Sequence, residues 1–498
     1  MLTRSFKLKP GKLTEKQITT LLGKSQHITF DPAVWLPVKA SVETVRHALE
    51  ANKVVYGLNT GFGLLANRKI PEKKLQDLQR NLLLSHAAGV GELLPDAIVQ
   101  LVLLLKINSL ARGYSGVRPL IIEMLTDFYN HRIYPCIPAK GSVGASGDLA
   151  PLAHLSLPLI GEGSAHFESK MISGKEALQC IGADRVSFFP KEGLALLNGT
   201  QVSAAIAWYY LLKTKKLFNA AIKIGALCFD AAMGCVIPFT AEIHELRGQP
   251  GQKKVAERLR QLLANSQITQ NTPPRVQDPY CLRCMPQILG ACWDNLAHIN
   301  TVLNIEVNAV TDNPLIFSDQ QSILSGGNFH AAPIAQAADF MAIILAEIGT
   351  LVERQIAMLM DVHFNHGLPA FLADDPGLHS GFMVAHVTAA ALTSANKSLA
   401  HPYSVDTIPT SANQEDHVSM ATAAAWRLKD MVENTQYILA IALLAACRGI
   451  EFRRPLRSSH ELEKIVAQVN EHIPRWEEDR PLAPDIEKAA LLVLEIDS

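Results

Sequence analysis

Two stretches constrain the fold more than anything else in the chain. They are "AAPIAQAADFMAIILAEIGTLVERQIAMLM" (Ala331–Met360) and "DHVSMATAAAWRLKDMVENTQYILAIALLAACRG" (Asp416–Gly449). Both are long, rich in Ala, Leu and Ile, and apolar on nearly every side of a 3.6-residue period. A helix apolar all round belongs in the middle of a large bundle or at an oligomer interface. Alanine on such a helix lets neighbours approach closely. "DAIVQLVLLLKINSLARG" (Asp96–Gly113) shows the same all-round character, and "VRPLIIEMLTDFYNHR" (Val117–Arg132) repeats the helical spacing. The expectation is a mainly α protein with a large core. A hydrophobic content of 48% and a charged content of 19% agree with it.

The apolar run "YILAIALLAAC" (Tyr437–Cys447) is shorter than the about 20 residues a bilayer crossing needs. The opening "MLTRSFKLKPGKLTEKQ" lacks the apolar core of a signal peptide. A formal net charge of -1 does not steer the chain toward nucleic acid or an anionic membrane. The eight cysteines are scattered without the spacing of a disulfide scaffold, which points to a reducing cytoplasm.

Turn-rich islands interrupt the helices: "YGLNTGFG" (Tyr56–Gly63), "LNGTQ" (Leu197–Gln201), "VQDPYCLRC" (Val276–Cys284), "VTDNP" (Val310–Pro314) and "SGGNF" (Ser325–Phe329). Loops held by rigid helices are common homes for function. The densest island is "AKGSVGASGDLAPLAH" (Ala139–His154), with Gly141, Gly144 and Gly147 three apart. It is not a phosphate loop, because Asp148 stands where Lys-Ser/Thr is required. It is not a nucleophile elbow, because Gly147 directly follows Ser146. The spacing also fails a dinucleotide fingerprint. Two readings remain. One is a flexible turn before a helix that begins near Asp148. The other is chemical: the Gly147 amide nitrogen attacks the Ala145 carbonyl carbon, one water leaves, and a second water lost from Ser146 leaves an exocyclic methylidene.

"GSVGASGDLAPLAH" resembles the signature of the aromatic amino acid ammonia-lyases. "YGLNTGFG", "NLLLSHAAGVGE", "LLNGTQ", "VQDPYCLRCMPQ", "SGGNFH" and "TSANQEDHVSM" extend the resemblance, in order, over nearly the whole chain. Cys281, Met285 and the Ala331-Ala332 pair depart from the family's usual residues beside these motifs. The resemblance implies a mainly α, fumarase/aspartase-like fold. Residues 1–197 would form a mixed prosthetic-group domain, and 198–498 a central and C-terminal domain of long helices. It implies a methylidene-imidazolone formed autocatalytically from Ala145, Ser146 and Gly147, with no dissociable cofactor and no metal. It also implies a homotetramer with sites shared between subunits.

The family's chemistry needs an electrophile to take the amine and a base for a weakly acidic β-proton. By resemblance, the methylidene carbon from Ser146 accepts the amine, and Tyr56, on a mobile lid, is the base, with Glu415 as its rival. A tyrosine near pKa 10 would need lowering for that work at neutral pH. Tyr280 supports the amine. Arg283 offers a guanidinium fork to the substrate carboxylate. Tyr280 and Arg283 share a helical face if that segment is helical. Asn198, Gln277 and Phe329 line the prosthetic group. Alone, Asn198 reads as a helix-start cap and Phe329 as core. His86 and Glu415 imply L-histidine as substrate, giving urocanate and ammonia, with Met383 as an apolar wall. The plain alternative is that His86 and Glu415 merely pair with each other in the core. A tyrosine lyase or aminomutase, and an inactive helical scaffold, stay open beside this. Cys281-Leu-Arg-Cys284 and the His363/His366 pair lack the further ligands of a metal site and read as structural.

Overall fold

The computed structural model describes residues 5–23, 26–61, 63–272 and 276–496, without the side chain of Leu64. The protein is 60% helical. The long apolar stretches form the helices Ala332–Met360 and Leu428–Phe452, alongside Gln201–Ala231 and Met285–Glu306. In the helix Asp96–Leu110 every residue from Leu101 onward is buried, as its all-round apolar pattern requires. The helices Ala332–Met360 and Ala421–Phe452 are long and apolar enough to cross a membrane, yet two-thirds or more of each apolar window is buried within the protein, as in a core helix.

By compactness the chain divides into two units. The first comprises Met1–Tyr209, Thr301–Asp339 and Pro402–Trp426; the second comprises Tyr210–Asn300, Phe340–His401 and Arg427–Ser498. A linear cut at 197/198 falls near the end of the first segment but does not separate out the later segments that complete the first unit.

All the described strands lie in the first unit, in four small sheets. Ser5–Leu8 pairs in parallel with His27–Phe30, and the other pairings are antiparallel. Pro138–Lys140, paired with Val90–Leu93, leads directly into the glycine-rich island, and the helix Leu149–Ser156 leaves it. The island is thus a short connection between a strand and a helix. Every named element of the second unit, among the described residues, is a helix.

Candidate active site

The glycines of the island are forced by geometry. Gly144 and Gly147 have φ of 64° and 72°, the left-handed region that a side chain disfavours. A Cβ on Gly147 would lie 2.3 Å from the Gly199 carbonyl oxygen, and one on Gly144 would lie 2.4 Å from Ser419 Oγ. The loop is packed against other backbone, which a freely flexible turn would not be. Met420 N donates to Val143 O at 2.8 Å, Ser419 Oγ to Gly144 O at 2.8 Å, and Ala331 N to Gly144 O at 3.2 Å. Ala145 is buried with Val418 and Met420. Asp148 N donates to Gly199 O at 2.8 Å and closes the exit. Ala331 acts here through its amide, so its departure from the family residue leaves the contact intact.

Asp148 sits at the N-terminus of the helix Leu149–Ser156, but its side chain does not cap that helix. It accepts instead from Ser203 N (2.7 Å), Ser203 Oγ (2.9 Å), Thr422 Oγ1 (2.8 Å) and Ser142 Oγ (3.1 Å). Burial still pushes its carboxyl above the ordinary range, against the pull of these donors. Fully buried Lys106 donates to Asn198 O at 2.8 Å and to Gln201 Oε1 at 3.3 Å. Burial lowers its pKa to about 7, resisted by Asp312 and Asp148. Lys191 pairs with Asp312 at 2.7 Å. This charged layer lies directly beneath the 198–201 turn, and only Asp148 within it drew notice in the sequence.

Asn198 ends the helix Glu192–Leu197 and does not cap a helix start. Its Nδ2 donates to Ser146 O at 2.6 Å, while its buried Oδ1 has no hydrogen-bond partner among the described residues. Ser146 itself is half-buried, and its hydroxyl donates to Glu415 Oε1. Glu415 Oε2 accepts from Thr410 Oγ1 at 2.6 Å and Ser411 Oγ at 2.9 Å. Burial alone would raise the Glu415 carboxyl; the hydroxyls of Ser146, Thr410 and Ser411 and the His86 ring outweigh it and hold the pKa below the ordinary value. Glu415 is therefore a carboxylate at neutral pH.

His86 is the last residue of the helix Leu75–His86, with Ser85 Oγ 3.1 Å from its Nδ1. Burial lowers its pKa, against the Leu82 backbone and Glu415, so its ring is neutral at neutral pH. Among the described residues no hydrogen bond joins His86 to Glu415. Their interaction is electrostatic, each shifting the other's titration.

Tyr56 is half-buried at the start of a turn. Leu58 anchors that turn against Val45 and Ile316, and the isolated bridge between Thr60 and Lys69 closes it. Burial raises the Tyr56 pKa, Gly63 lowers it and the Glu415 charge raises it again. The net direction is opposite to the lowering that base work at neutral pH asks for. Phe329 is half-buried in the first unit, two residues before Ala331.

Gln277, Tyr280, Arg283 and Met383 belong to the second unit. Tyr280–Arg283 is a single helical turn, with the Arg283 guanidinium carbon 4.5 Å from the Tyr280 ring centroid. The two residues do share a face. Tyr280 is 67% exposed, Gln277 is exposed, and buried Arg283 Nε has no hydrogen-bond partner among the described residues. Cys281 is half-buried, its thiol pushed up to about 11 by burial. Met383, at 38%, sits beside exposed Val384 and Val387.

Thr410, Ser411 and Lys106 are the functional candidates that sequence reasoning missed. The first two are hidden in a Ser/Thr/Asn-rich turn. The third is a lone charge in an apolar helix, a pattern more often met as a snorkelling surface lysine.

Residues 13–471 match the family model "Aromatic amino acid lyase". A histidine ammonia-lyase of Legionella pneumophila is 52% identical over 496 residues, covering 99% of this chain and 98% of that one. The crystal structure of histidine ammonia-lyase from Trypanosoma cruzi superposes with a TM-score of 0.90 at 37% identity, over 99% of this chain and 94% of that one. A tyrosine aminomutase from Streptomyces globisporus superposes with a TM-score of 0.92 at 32% identity, over 100% and 97%. The fold is thus shared by lyases and aminomutases, and does not by itself fix the reaction.

Proposed function

The chain belongs to the aromatic amino acid lyase family, and from that premise we propose how its residues divide the work of removing ammonia from L-histidine. The enzyme is a carbon–nitrogen lyase whose reaction gives trans-urocanate and ammonia, the first step of histidine degradation. In this reading residues 1–197 carry the prosthetic loop and 198–498 supply the helical remainder.

Residues 145–147 fit a methylidene-imidazolone. Gly147 lies where a Cβ would collide with Gly199, and Asn198 holds the Ser146 carbonyl, the one carbonyl of the Ala-Ser pair that cyclisation keeps. That group, once formed, supplies the electrophile that ordinary side chains lack. Asn198 Nδ2 draws electron density from the Ser146 carbonyl. Its Oδ1 is an acceptor with no hydrogen-bond partner among the described residues.

The observation that carries substrate choice is Glu415, an ionised carboxylate touching Ser146. Imidazole offers an N–H to it in a charge-assisted bond. A phenyl ring offers none and leaves a desolvated charge, which a polar pocket rejects by about 10⁴–10⁵. His86 presents a neutral ring beside it. Arg283 would hold the substrate carboxylate through its guanidinium, whose buried Nε has no hydrogen-bond partner among the described residues, and Tyr280, stacked on it, would meet the amine. Gln277, Phe329 and Met383 would line the remainder. Tyr56 would take the β-proton from the lid. Its raised pKa means that the base form grows as pH rises above neutral.

The exposed apolar residues Phe340, Ile343, Met383, Val384 and Val387 support burial against further copies, as in a homotetramer with shared sites. The eight free thiols support a cytoplasmic location. Incubation with histidine, tyrosine and phenylalanine, following each conjugated acid, tests the assignment. Comparable kcat/KM on phenylalanine or tyrosine would refute histidine specificity and leave the lyase chemistry standing.

A further inference from the structure

We propose that Thr410 and Ser411 are positioning residues for Glu415: their hydroxyls fix one edge of its carboxylate and leave the other edge for the substrate. The inference rests on Glu415 facing the substrate imidazole.

The local backbone is shaped for this. Thr410 N donates to Glu415 O at 3.0 Å and Glu415 N to Thr410 O at 3.3 Å, pinning both ends of a six-residue loop. Between them Ser411, Ala412 and Asn413 have φ of 51°, 54° and 65°. Three consecutive non-glycine residues in the left-handed region are costly, and the surrounding structure must hold them there. The result brings both hydroxyls onto one carboxylate oxygen, Oε2. Oε1 is bonded, among the described residues, to the Ser146 hydroxyl, the group that cyclisation removes. Maturation would therefore free one edge of the carboxylate while the other stays anchored.

The charged and titratable groups facing Glu415 come from three other places. Ser146 is on the glycine loop, His86 ends its helix, and Tyr56 is on the lid, whose turn Gly63–Leu65 packs against Ser411–Asn413. Asp416 and His417 follow Glu415 in sequence and are exposed. Of these, Ser146 loses its hydroxyl in the mature enzyme, and the neutral His86 ring gives little charge. Thr410 and Ser411 are then the neighbours that keep Glu415 ionised. Removing them raises its pKa, because a carboxylate that loses donors favours its protonated form.

The test uses the intact protein as T410V, S411A, T410V/S411A and T410S, with E415Q as control. kcat and KM for histidine are read from about pH 6 to about pH 9. Substrate titration is common to all variants and cancels. In T410V/S411A the acid limb of kcat/KM should move to higher pH, with about a tenfold loss near pH 6 and a much smaller one near pH 9. S411A alone, at an exposed serine, should shift it less in the same direction, and T410S should restore the wild-type limb. Intact mass should still show the loss of two waters in each hydroxyl variant, separating substrate handling from loop maturation. Superimposable profiles in the double variant and wild type, with E415Q impaired, would overturn the inference alone. E415Q with wild-type kinetics would overturn the placement of Glu415 itself.

Discussion

The segment around Ser146 is gripped from several directions by bonds within the first unit. Gly144 is held by Ser419 and Ala331, the Ser146 carbonyl by Asn198, its hydroxyl by Glu415, and the exit amide by Gly199. The turn Tyr280–Arg283 of the second unit is held differently. Its backbone is bonded, through Gln355 Nε2 to Cys281 O at 3.0 Å and Arg283 N to Pro279 O at 3.1 Å, but the Arg283 Nε is buried and unpaired. In the proposed cyclisation a backbone reacts with itself, which asks that the loop be held in place before the substrate arrives. A site that must grip a substrate has to keep donors unsatisfied until it does, because a donor already paired gains little from a ligand. The contrast is one of the loop's own backbone against the guanidinium, since Asn198 Oδ1 beside Ser146 is also without a partner among the described residues.

The sharpest break of this comparison is Ser146→Ala. The fold should survive, since alanine fits a half-buried turn, but intact mass should no longer show the loss of two waters. Turnover should fall on the order of 10³-fold or more. A variant with wild-type activity would sink the cyclisation mechanism.

Glu415→Gln comes next, with turnover on histidine reduced about 10²–10³-fold. The amide keeps the shape and loses the charge, so discrimination against phenylalanine should weaken at the same time. If the phenylalanine-to-histidine ratio of kcat/KM stays fixed, the charge is not the selector.

Tyr56→Phe should cost about 10²-fold in turnover, and its pH profile is more telling than its size. The Tyr56 pKa is raised, so the phenolate is scarce at neutral pH and increases as pH rises. Wild-type kcat/KM should climb above neutral pH, and the variant should lose that climb. If Tyr56→Phe turns over normally, Tyr56 is not the base and Glu415 becomes the preferred one.

How far the sequence speaks depends on whether a contact leaves a local trace. The helices Ala332–Met360 and Leu428–Phe452 are written in runs of apolar residues, and burial follows from those runs alone. Ala145-Ser146-Gly147 is legible because the proposed cyclisation would consume its own backbone and admits few residue types. Thr410 and Ser411 are not legible, since Ser, Thr and Asn in a turn are the ordinary composition of turns. Their role appears only when the 410–415 loop closes on Ser146, 269 residues away in sequence. Lys106 fails for the same reason: its acceptor, Asn198 O, is 92 residues distant. The discontinuous first unit, completed by 301–339 and 402–426, likewise depends on long-range return of the chain, which hydrophobic periodicity does not encode.

Arg283→Met gives the smallest effect on the chemistry and the finest test of the contrast. In the free protein the guanidinium stacks on Tyr280 while its buried Nε goes without an acceptor. A buried donor without a partner is a standing cost of about 1–3 kcal/mol. Methionine keeps much of the apolar stem and removes that donor. Stability should therefore hold steady or rise slightly, read as an unchanged or higher Tm. Intact mass should still show the loss of two waters, because the glycine loop is bonded within the first unit. The loss should fall on substrate binding: KM for histidine should rise about 10–100-fold, the worth of a charge-assisted bond to a carboxylate. kcat should fall less, through poorer alignment of the bound substrate. Stability and affinity would then move in opposite directions, as expected of a group kept unpaired for a ligand. A drop in Tm with unchanged KM would make Arg283 a structural residue and remove the carboxylate grip from the second unit.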